Sequence, residues 1–548
     1  KPDSRLMFIA DYSTAANTEQ SHIKETNLTS HSILNTEIRN KSKYRIYTGH
    51  LKYSFLLPSR IKSDAGAQFS FVDNNFHSST RTTYLSDLSE RTRIGDLTAA
   101  GYLNLNRAWK FGELEAGIRY EYARTRIDQN SAEANEAEEV DRSFSDFLPN
   151  ANIFIHASEK LKVRASYGLT GNYNIDNYNY LARVAKANYV LGGALAPGKA
   201  LESLRNNELT WEETKQLDLG IDLGFLNDRI FMMYDYYLKR TDGMLYQTDI
   251  PAATGFWDIQ SHMGDFKIWG HEITITSRNL VNEFKWTTNL NVSFNRNKIL
   301  KLGTENAPIG GYETYGDFNR LEVGQPIGAL FGYIYDGVYM TEQELNSQPK
   351  HATSEIGTAR MVDVNNDKKI DADDRTIIGN PTPDAIFGMT NEFQYKNFDL
   401  SILLQGQIGG DIMNANYENT ENLDGVFNVR KYVQDRWRSP ENPGNGIVPR
   451  TKSGTTELFR LGHSGQVYDA SYLAIKNVTL GYTIPFTPNH YISKLRVYLT
   501  AQQLAVFTKY PGLSPEVSQN GMDWRGLGVD RTAYPVPRTF SIGCNITF

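Results

Sequence analysis

The last nine residues constrain this chain more than any other stretch. They read Phe540-Ser541-Ile542-Gly543-Cys544-Asn545-Ile546-Thr547-Phe548. Apolar side chains stand at every second position, with small or polar ones between. A period of two sends the two sets to opposite faces of a strand. In a soluble protein such a strand is an exposed edge that invites association. In an outer-membrane barrel it is the closing strand, apolar toward lipid and polar toward the lumen.

The same alternation recurs along the 548 residues. Leu114, Ala116, Ile118, Tyr120 and Tyr122 alternate with Glu113, Glu115, Gly117, Arg119 and Glu121. Leu217 to Phe225, Trp286 to Phe294, Phe398 to Leu404 and Leu495 to Ala501 repeat it. A soluble strand pair could not hide so many charges on its second face. Roughly 16 such segments of about ten residues can be read, the length a tilted strand needs to cross a bilayer. Leu6 to Tyr12 is the first, and a hairpin turns through Ser158-Glu159-Lys160. Short turns alternate with long loops, as in membrane barrels. One strand changes phase. Leu473 and Ile475 keep one phase and Val478, Leu480 and Tyr482 the other, which predicts a β-bulge near Lys476-Asn477. The closing strand, 539–548, should pair with Leu495 to Leu504. Its other edge needs the first barrel strand, or the barrel as given is open.

Bulk properties exclude several classes. The net charge is −6, so no basic surplus points to nucleic acid. No apolar run approaches the ~18 residues of a membrane helix. A mean hydropathy of −0.49 is compatible with a barrel, because half of each strand is polar. The single cysteine, Cys544, leaves no internal disulfide and reads as a small apolar residue. No GxSxG, HExxH or Walker loop is present. Glu212 and Glu213 are adjacent, so on a strand they point apart. Gly462-His463-Ser464-Gly465 lacks nucleophile spacing and reads as a plain turn, and the ten histidines read as solvated or lumen-facing. The chain is not expected to be an enzyme, and no catalytic residue is assigned.

One segment carries ligand chemistry. Asp363-Val364-Asn365-Asn366-Asp367-Lys368-Lys369-Ile370-Asp371-Ala372-Asp373-Asp374 has the spacing of a twelve-residue calcium loop. Oxygen donors fall on Asp363, Asn365, Asp367, the Lys369 carbonyl, Asp371 and Asp374. Hard oxygens at alternate positions suit Ca²⁺ or Mg²⁺. Lys368 stands where a glycine is usual, and Asp374 where a longer Glu is usual. An ion that stiffens a loop and an ion-free polar turn are both compatible with this. Loop aromatics are candidates for substrate contact: Trp257, Tyr312, Tyr315, Tyr335, Trp437 and Trp524, with Phe318 and Tyr339 beside them. Interface girdle contacts or packing are their alternative roles. The acidic run Glu133 to Asp141 reads as a solvated loop.

Several ordered motifs then resemble a known family. They are Arg164-Ala165-Ser166-Tyr167-Gly168-Leu169-Thr170-Gly171-Asn172, Asn207-Glu208-Leu209-Thr210-Trp211-Glu212-Glu213-Thr214-Lys215-Gln216 and Asp235-Tyr236-Tyr237-Leu238-Lys239-Arg240-Thr241. Further on come Gly379-Asn380-Pro381-Thr382-Pro383-Asp384, Lys396-Asn397-Phe398-Asp399-Leu400-Ser401 and Asp469-Ala470-Ser471-Tyr472-Leu473. Lys476-Asn477-Val478-Thr479-Leu480-Gly481-Tyr482 and Tyr534-Pro535-Val536-Pro537-Arg538-Thr539-Phe540 complete the set. From residue 147 to 548 the chain resembles the barrel of the SusC-like (SusC/RagA) TonB-dependent transporters of Bacteroidetes outer membranes. Residues 1–146 look like barrel strands of related receptors.

The resemblance implies an all-β, antiparallel, multi-pass outer-membrane barrel. It implies TonB-energised uptake of oligosaccharides or peptides, with a SusD-like surface lipoprotein as partner. Nothing here resembles the family's plug domain or TonB-engaging segment, and such transporters have about 22 strands around a plugged lumen. The expectation is therefore the C-terminal part of a transporter barrel. A plugless passive pore, or a structural barrel of a larger surface or secretion assembly, is the alternative. A soluble all-β carbohydrate-binding protein is a third reading.

Overall fold

The computed structural model describes the chain apart from residues 1–3, 27–32, 83–84, 132–137, 173–182, 192–193, 205, 207–208, 228, 251, 257, 304, 312–316, 422–427, 451–456, 486–491, 520, 522 and 532. Its principal strands are β1 (Arg5–Thr26), β2 (Ile33–Leu57), β3 (Ile61–Thr82), β4 (Leu85–Trp109), β5 (Gly112–Ser131), β6 (Glu138–Ser158), β7 (Leu161–Asn172) and β8 (Glu212–Phe225). They continue with β9 (Ile230–Asp249), β10 (Asp258–Val281), β11 (Phe284–Leu302), β12 (Ala385–Tyr395), β13 (Phe398–Ile408), β14 (Tyr472–Thr483), β15 (Lys494–Thr508) and β16 (Thr539–Thr547). These sixteen form one sheet in chain order. That matches the count of alternating segments. Among the described residues no helix is long and apolar enough to cross a membrane.

Strand length departs from the expectation of about ten residues. The strands β2 and β4 each run to 25 residues, because the pairing continues past the apolar band through Ser, Thr, Asn and charged residues. The family resemblance begins at residue 147, which lies inside β6 and marks no structural boundary.

The chain clusters into two compact units. The first comprises Lys1–Ala157, Lys162–Leu219 and Thr241–Met263. Its strands β1 to β6 are antiparallel neighbours, with Tyr12 opposite Tyr47 and Tyr47 opposite Phe71. Those three rings lie 5.1 and 6.2 Å apart along one face. Burial along β5 is inverted relative to a soluble protein. Leu114, Ile118 and Tyr120 are 44, 47 and 42% exposed, whereas Glu121 is 8% exposed. The polar face is tied by its own charges. Asp73 meets Arg45 at 3.4 Å and Arg93 at 2.9 Å, Lys52 meets Asp64 at 2.8 Å, and Arg119 binds Glu121 at 2.6 Å. Nearer the long-loop end, Ile94, Ile127 and Val140 stand in register. Leu209, which is fully buried, covers them together with Leu245.

The second unit comprises Ser158–Leu161, Gly220–Arg240 and Gly264–Phe548. Phe284, Tyr395, Phe398 and Tyr482 occupy one register row across β11 to β14. Behind that row lies a second, Trp286, Phe393, Leu400, Leu480, Leu499 and Ile542. Aromatic rows at the ends of an apolar band are the interfacial girdle of membrane barrels. The hairpins at this end are tight. In the four-residue turn between β8 and β9, Leu226 and Asn227 take left-handed φ of 51° and 56°.

The predicted bulge is present. Lys476 is skipped in the pairing of β14 with both β13 and β15. On β15 the compensating residue Gln503 has φ 52°. The closing strand also falls where the alternation places it, with Leu495 opposite Ile546 and Ala501 opposite Phe540. Among the described residues β16 pairs only with β15, and β1 only with β2.

Placing an arginine on the apolar face of β5, Ile118→Arg, should destabilise the membrane-inserted state by about 2–4 kcal/mol. Gln68→Glu on the polar face, beside Arg119, should leave it within about 0.5 kcal/mol. Urea unfolding from lipid vesicles, read by heat-modifiable gel mobility, measures both. Equal effects would contradict the assignment of faces.

Candidate functional site

Three long connections of the second unit join β11 to β12, β13 to β14 and β15 to β16. They contain short strands, and they share cores. Ile309–Gly310, Asn319–Leu321, Ala329–Gly332 and Thr376–Gly379 form a four-stranded sheet in the first connection. Asp411–Asn414 of the second pairs antiparallel with Val467–Asp469 and parallel with Val529–Asp530 of the third. Phe318, Leu330, Met413, Ala415 and Val529 bury together, drawing on all three connections. Another cluster holds Tyr333, Ala359, Met361, Ile370 and Leu458. A third holds Ile412, Ala470 and Tyr510. Asn319 binds the first and third connections by donating from Nδ2 to the carbonyls of Gly328 (2.8 Å) and Leu527 (2.9 Å). At Gly332 the chain runs so close to the Gly462 carbonyl that a Cβ would stand 2.2 Å from its oxygen. Only glycine permits that approach.

The motifs that carry the family resemblance build the joints where these connections meet the strands. Arg296 of β11 donates to Asp384 Oδ1 at 2.7 Å and to the carbonyls of Pro383 and Asp384. Asp411 accepts from the Asn380 amide at 2.7 Å. Burial holds the Asp411 carboxyl above its ordinary value, against that amide bond. Asp469 caps the Ser471 amide at 2.8 Å, and Ser471 in turn accepts from Gly409. At the bulge, the Lys476 ammonium reaches both carboxylate oxygens of Glu516 at 2.6 Å, and Tyr472 donates to the same group. That ties the third connection to the sheet.

The expected substrate-contacting aromatics separate by burial. Trp257, Tyr312 and Tyr315 lie outside the described residues. Trp437 is 5% exposed, stacked under Arg450 at 5.2 Å and seated over Gly357. Phe318 and Tyr339 are each 1% exposed. These three pack inside the connections, which collapse on their rings. Burial raises the Tyr339 hydroxyl to about 12. Tyr335 is half-buried, donates to the Ile447 carbonyl and packs on Phe459 and His463. Trp524 is half-buried, with its ring against Gly310.

His463 corrects the reading of the histidines as solvated or lumen-facing. It is 1% exposed, boxed by the rings of Phe459, Tyr335 and Tyr417 at 4.8, 4.9 and 6.2 Å. Its Nδ1 accepts from the Gly465 amide at 3.2 Å. Burial pushes its basicity down to about 3, with the Phe459 carbonyl partly opposing. Sequence reasoning also missed His262 of the first unit. It accepts from the Thr210 amide at 2.6 Å and faces the Gly243 carbonyl at 2.7 Å. It thereby clasps the Leu209-Thr210 segment to β9. No spacing rule announces either histidine, since His262 acts through backbone groups distant in sequence and His463 is enclosed partly by the distant rings of Tyr335 and Tyr417.

The twelve-residue segment 363–374 is closed by its own amides. Asp363 accepts from Asp367 and Lys368, Asn365 from Asp367, Asp367 from Lys369, and Asp371 from Asp373. Asp374, fully buried, accepts from Val364 at 2.8 Å and Asp371 at 2.9 Å. Lys368 takes the left-handed φ of 71° that the usual glycine would supply. Ile370 anchors the turn in the core. Among the described residues no three carboxylate or imidazole groups gather closely enough to hold a metal ion. The oxygens are turned to amides instead.

The chain was compared with known proteins. Residues 1–181 match the outer membrane protein beta-barrel family. TonB-dependent receptor P3 of Formosa agariphila is 35% identical over 404 residues, covering 71% of this chain and 39% of the relative. TonB-dependent receptor SusC of Bacteroides thetaiotaomicron is 29% identical over 423 residues, 73% of this chain and 38% of the relative. The chain thus spans about two fifths of the length of these curated relatives. The solved RagAB peptide transporter superposes with a TM-score of 0.75 at 20% identity, covering 99% of this chain and 60% of that one. That likeness shows the fold.

Acid should loosen the loop assembly. An imidazole less basic when folded than when unfolded lets the unfolded state take up the proton first. Stability then falls as pH drops below about 6.5 toward the folded value, by up to about 1.4 kcal/mol per pH unit. Hydrogen exchange at Tyr333 and Ala359 should accelerate from pH 7 to pH 4, and His463→Phe should flatten that dependence. Asp374→Ala leaves two amides without acceptors, at a cost of about 2–4 kcal/mol. Trypsin should then cut faster at Lys368 and Lys369. Running the digest in Ca²⁺ and in EDTA separates the two roles of the turn: a self-closed turn protects equally in both, and an ion loop only in Ca²⁺.

Proposed function

We propose that this chain, an outer-membrane β-barrel protein related over most of its length to TonB-dependent receptors, forms the wall and outer loops of an uptake conduit for oligosaccharides or peptides. The observation that carries the reading is the division of its strand faces. The lipid side presents Leu, Ile, Phe and Tyr in registered rows. The inner side presents amides, hydroxyls and paired charges, such as the Thr274–Asn291 and Thr276–Asn289 bonds of 3.0 Å. Such a face exchanges hydrogen bonds with a polar solute at low net cost, since each group lost to water is regained. The relatives' names, TonB-dependent receptors, support TonB as the energy source; the surface lipoprotein partner of SusD type is carried over from the family resemblance.

In this proposal no covalent chemistry occurs in the chain. Solute recognition falls to Tyr335 and Trp524, the expected aromatics that keep part of their rings exposed, with Trp257, Tyr312 and Tyr315 as further candidates. The 363–374 turn serves as a stiffener of the first connection. Ca²⁺ or Mg²⁺ at Asp363, Asn365, Asp367, Lys369, Asp371 and Asp374 belongs to the proposal in that role only. The donor chemistry supports it, and the dispersal of the carboxylates onto amides supports the ion-free form.

Uptake of fluorescently labelled oligosaccharide and peptide mixtures tests the reading, in cells with and without the gene. Loss of uptake on deletion, and equal loss when TonB is depleted, is the expected result. Uptake that persists without TonB identifies a passive pore. No change for either solute on deletion points to a structural barrel. Trp524→Ala should reduce uptake about tenfold while leaving heat-modifiable folding intact, as loss of a stacking face worth about 1.4 kcal/mol implies.

A further inference from the structure

The short-turn end of the first unit gathers exposed cations beside exposed aromatic rings. On its strands several acids and bases are matched: Arg45 and Arg93 with Asp73, Arg119 with Glu121, Arg124 with Asp141. The turns joining β2 to β3 and β4 to β5 bring exposed cations together at one end of the sheet. Arg60, Lys62, Arg107 and Lys110 are all exposed. Among the described residues no carboxylate pairs with any of them. The acids at adjoining positions are already engaged, Asp64 by Lys52 and Glu113 by Asn106.

The two turns are neighbours, because β3 pairs with β4 and Lys62 lies opposite Asn106. Arg107 stands on the apolar face, in register with Leu114. A guanidinium there reaches past the apolar band to the polar layer at its edge. Trp109 and Phe111 flank it, 43 and 58% exposed, with the Lys110 ammonium 5.0 Å from the Phe111 ring centre. Leu56 and Leu57 extend the apolar rim beside Arg60. Exposed rings and aliphatic side chains below, and unpaired cations above, match the amphipathic boundary of a lipid leaflet. Short turns of such barrels face the periplasm.

We propose that Arg60, Arg107 and Lys110, with Trp109 and Phe111, form a docking patch for the phosphate of an anionic phospholipid in the periplasmic leaflet. Charge complementarity selects the occupant. A zwitterionic headgroup brings its own ammonium to the cations and gains less. The aromatic rim requires acyl chains, which a free phosphate lacks. The patch rests on the barrel fold and not on the transport reading.

Native mass spectrometry of the purified full chain, titrated with phosphatidylglycerol and with phosphatidylethanolamine, tests it. The wild-type protein should retain phosphatidylglycerol in preference to phosphatidylethanolamine. The variant R60Q/R107Q/K110Q should bind it about a hundredfold more weakly, as three cations at about 1 kcal/mol each imply. Heat-modifiable mobility checks that the variant is folded. On the wild-type protein alone, raising ionic strength should release phosphatidylglycerol and spare phosphatidylethanolamine. Retention that ignores both salt and substitution overturns the proposal. So does displacement of phosphatidylglycerol by millimolar inorganic phosphate, which would identify a free-phosphate site.

Discussion

Everything in this structure depends on backbone hydrogen bonds having nowhere to go but the adjacent strand. In hydrocarbon no water can satisfy an unpaired amide or carbonyl, so spanning strands pair with their neighbours, as β2 to β15 do on both sides. That requirement produces sixteen strands in chain order. It also makes the two faces of each strand independent. One face meets lipid and is free to be apolar, and the other meets a polar interior and carries the charges. The near-burial of Glu121 beside exposed Ile118 is the local expression of that rule.

Polar faces built this way are held by pairing. Arg496 lies across Gly481 to reach Asp399 two strands away, donating from Nε at 2.9 Å. Any side chain at 481 would displace the guanidinium, since a Cβ would stand 2.3 Å from it. The glycine of the Lys476-to-Tyr482 motif thus owes its place to a cross-strand ion pair. The bulge at Lys476 has a similar logic. Skipping one residue re-aims the lysine toward Glu516, so a local break in the ladder anchors a distant connection.

The long connections obey a different constraint. Outside the membrane they are free to bury apolar side chains in the ordinary sense, and they do so together. Phe318, Leu330 and Met413 come from segments far apart in the chain yet share one core. The consequence for function is direct. Side chains that look available because they sit in polar, glycine-rich stretches are consumed by this packing. Trp437 and Tyr339 are the clearest cases, and His463 is the same effect acting on a titratable group. Tyr335 and Trp524 keep partly open faces because each lies at the margin of a cluster.

The sequence by itself determined the strands, their two faces, the bulge and the neighbour of the closing strand. Each follows from a period-two pattern or a change in its phase, and such signals are local. It also marked the joints, since Asn380 to Asp384 and Asp469 to Tyr472 are short motifs whose side chains cap nearby amides. It underestimated strand length, because polar residues beyond the apolar band carry no periodic signal. Only the tertiary structure decided which loop residues are buried and that the turn bearing Arg60 neighbours the turn bearing Arg107 and Lys110. Those outcomes depend on contacts between residues tens to hundreds of positions apart, and no spacing within one segment encodes them.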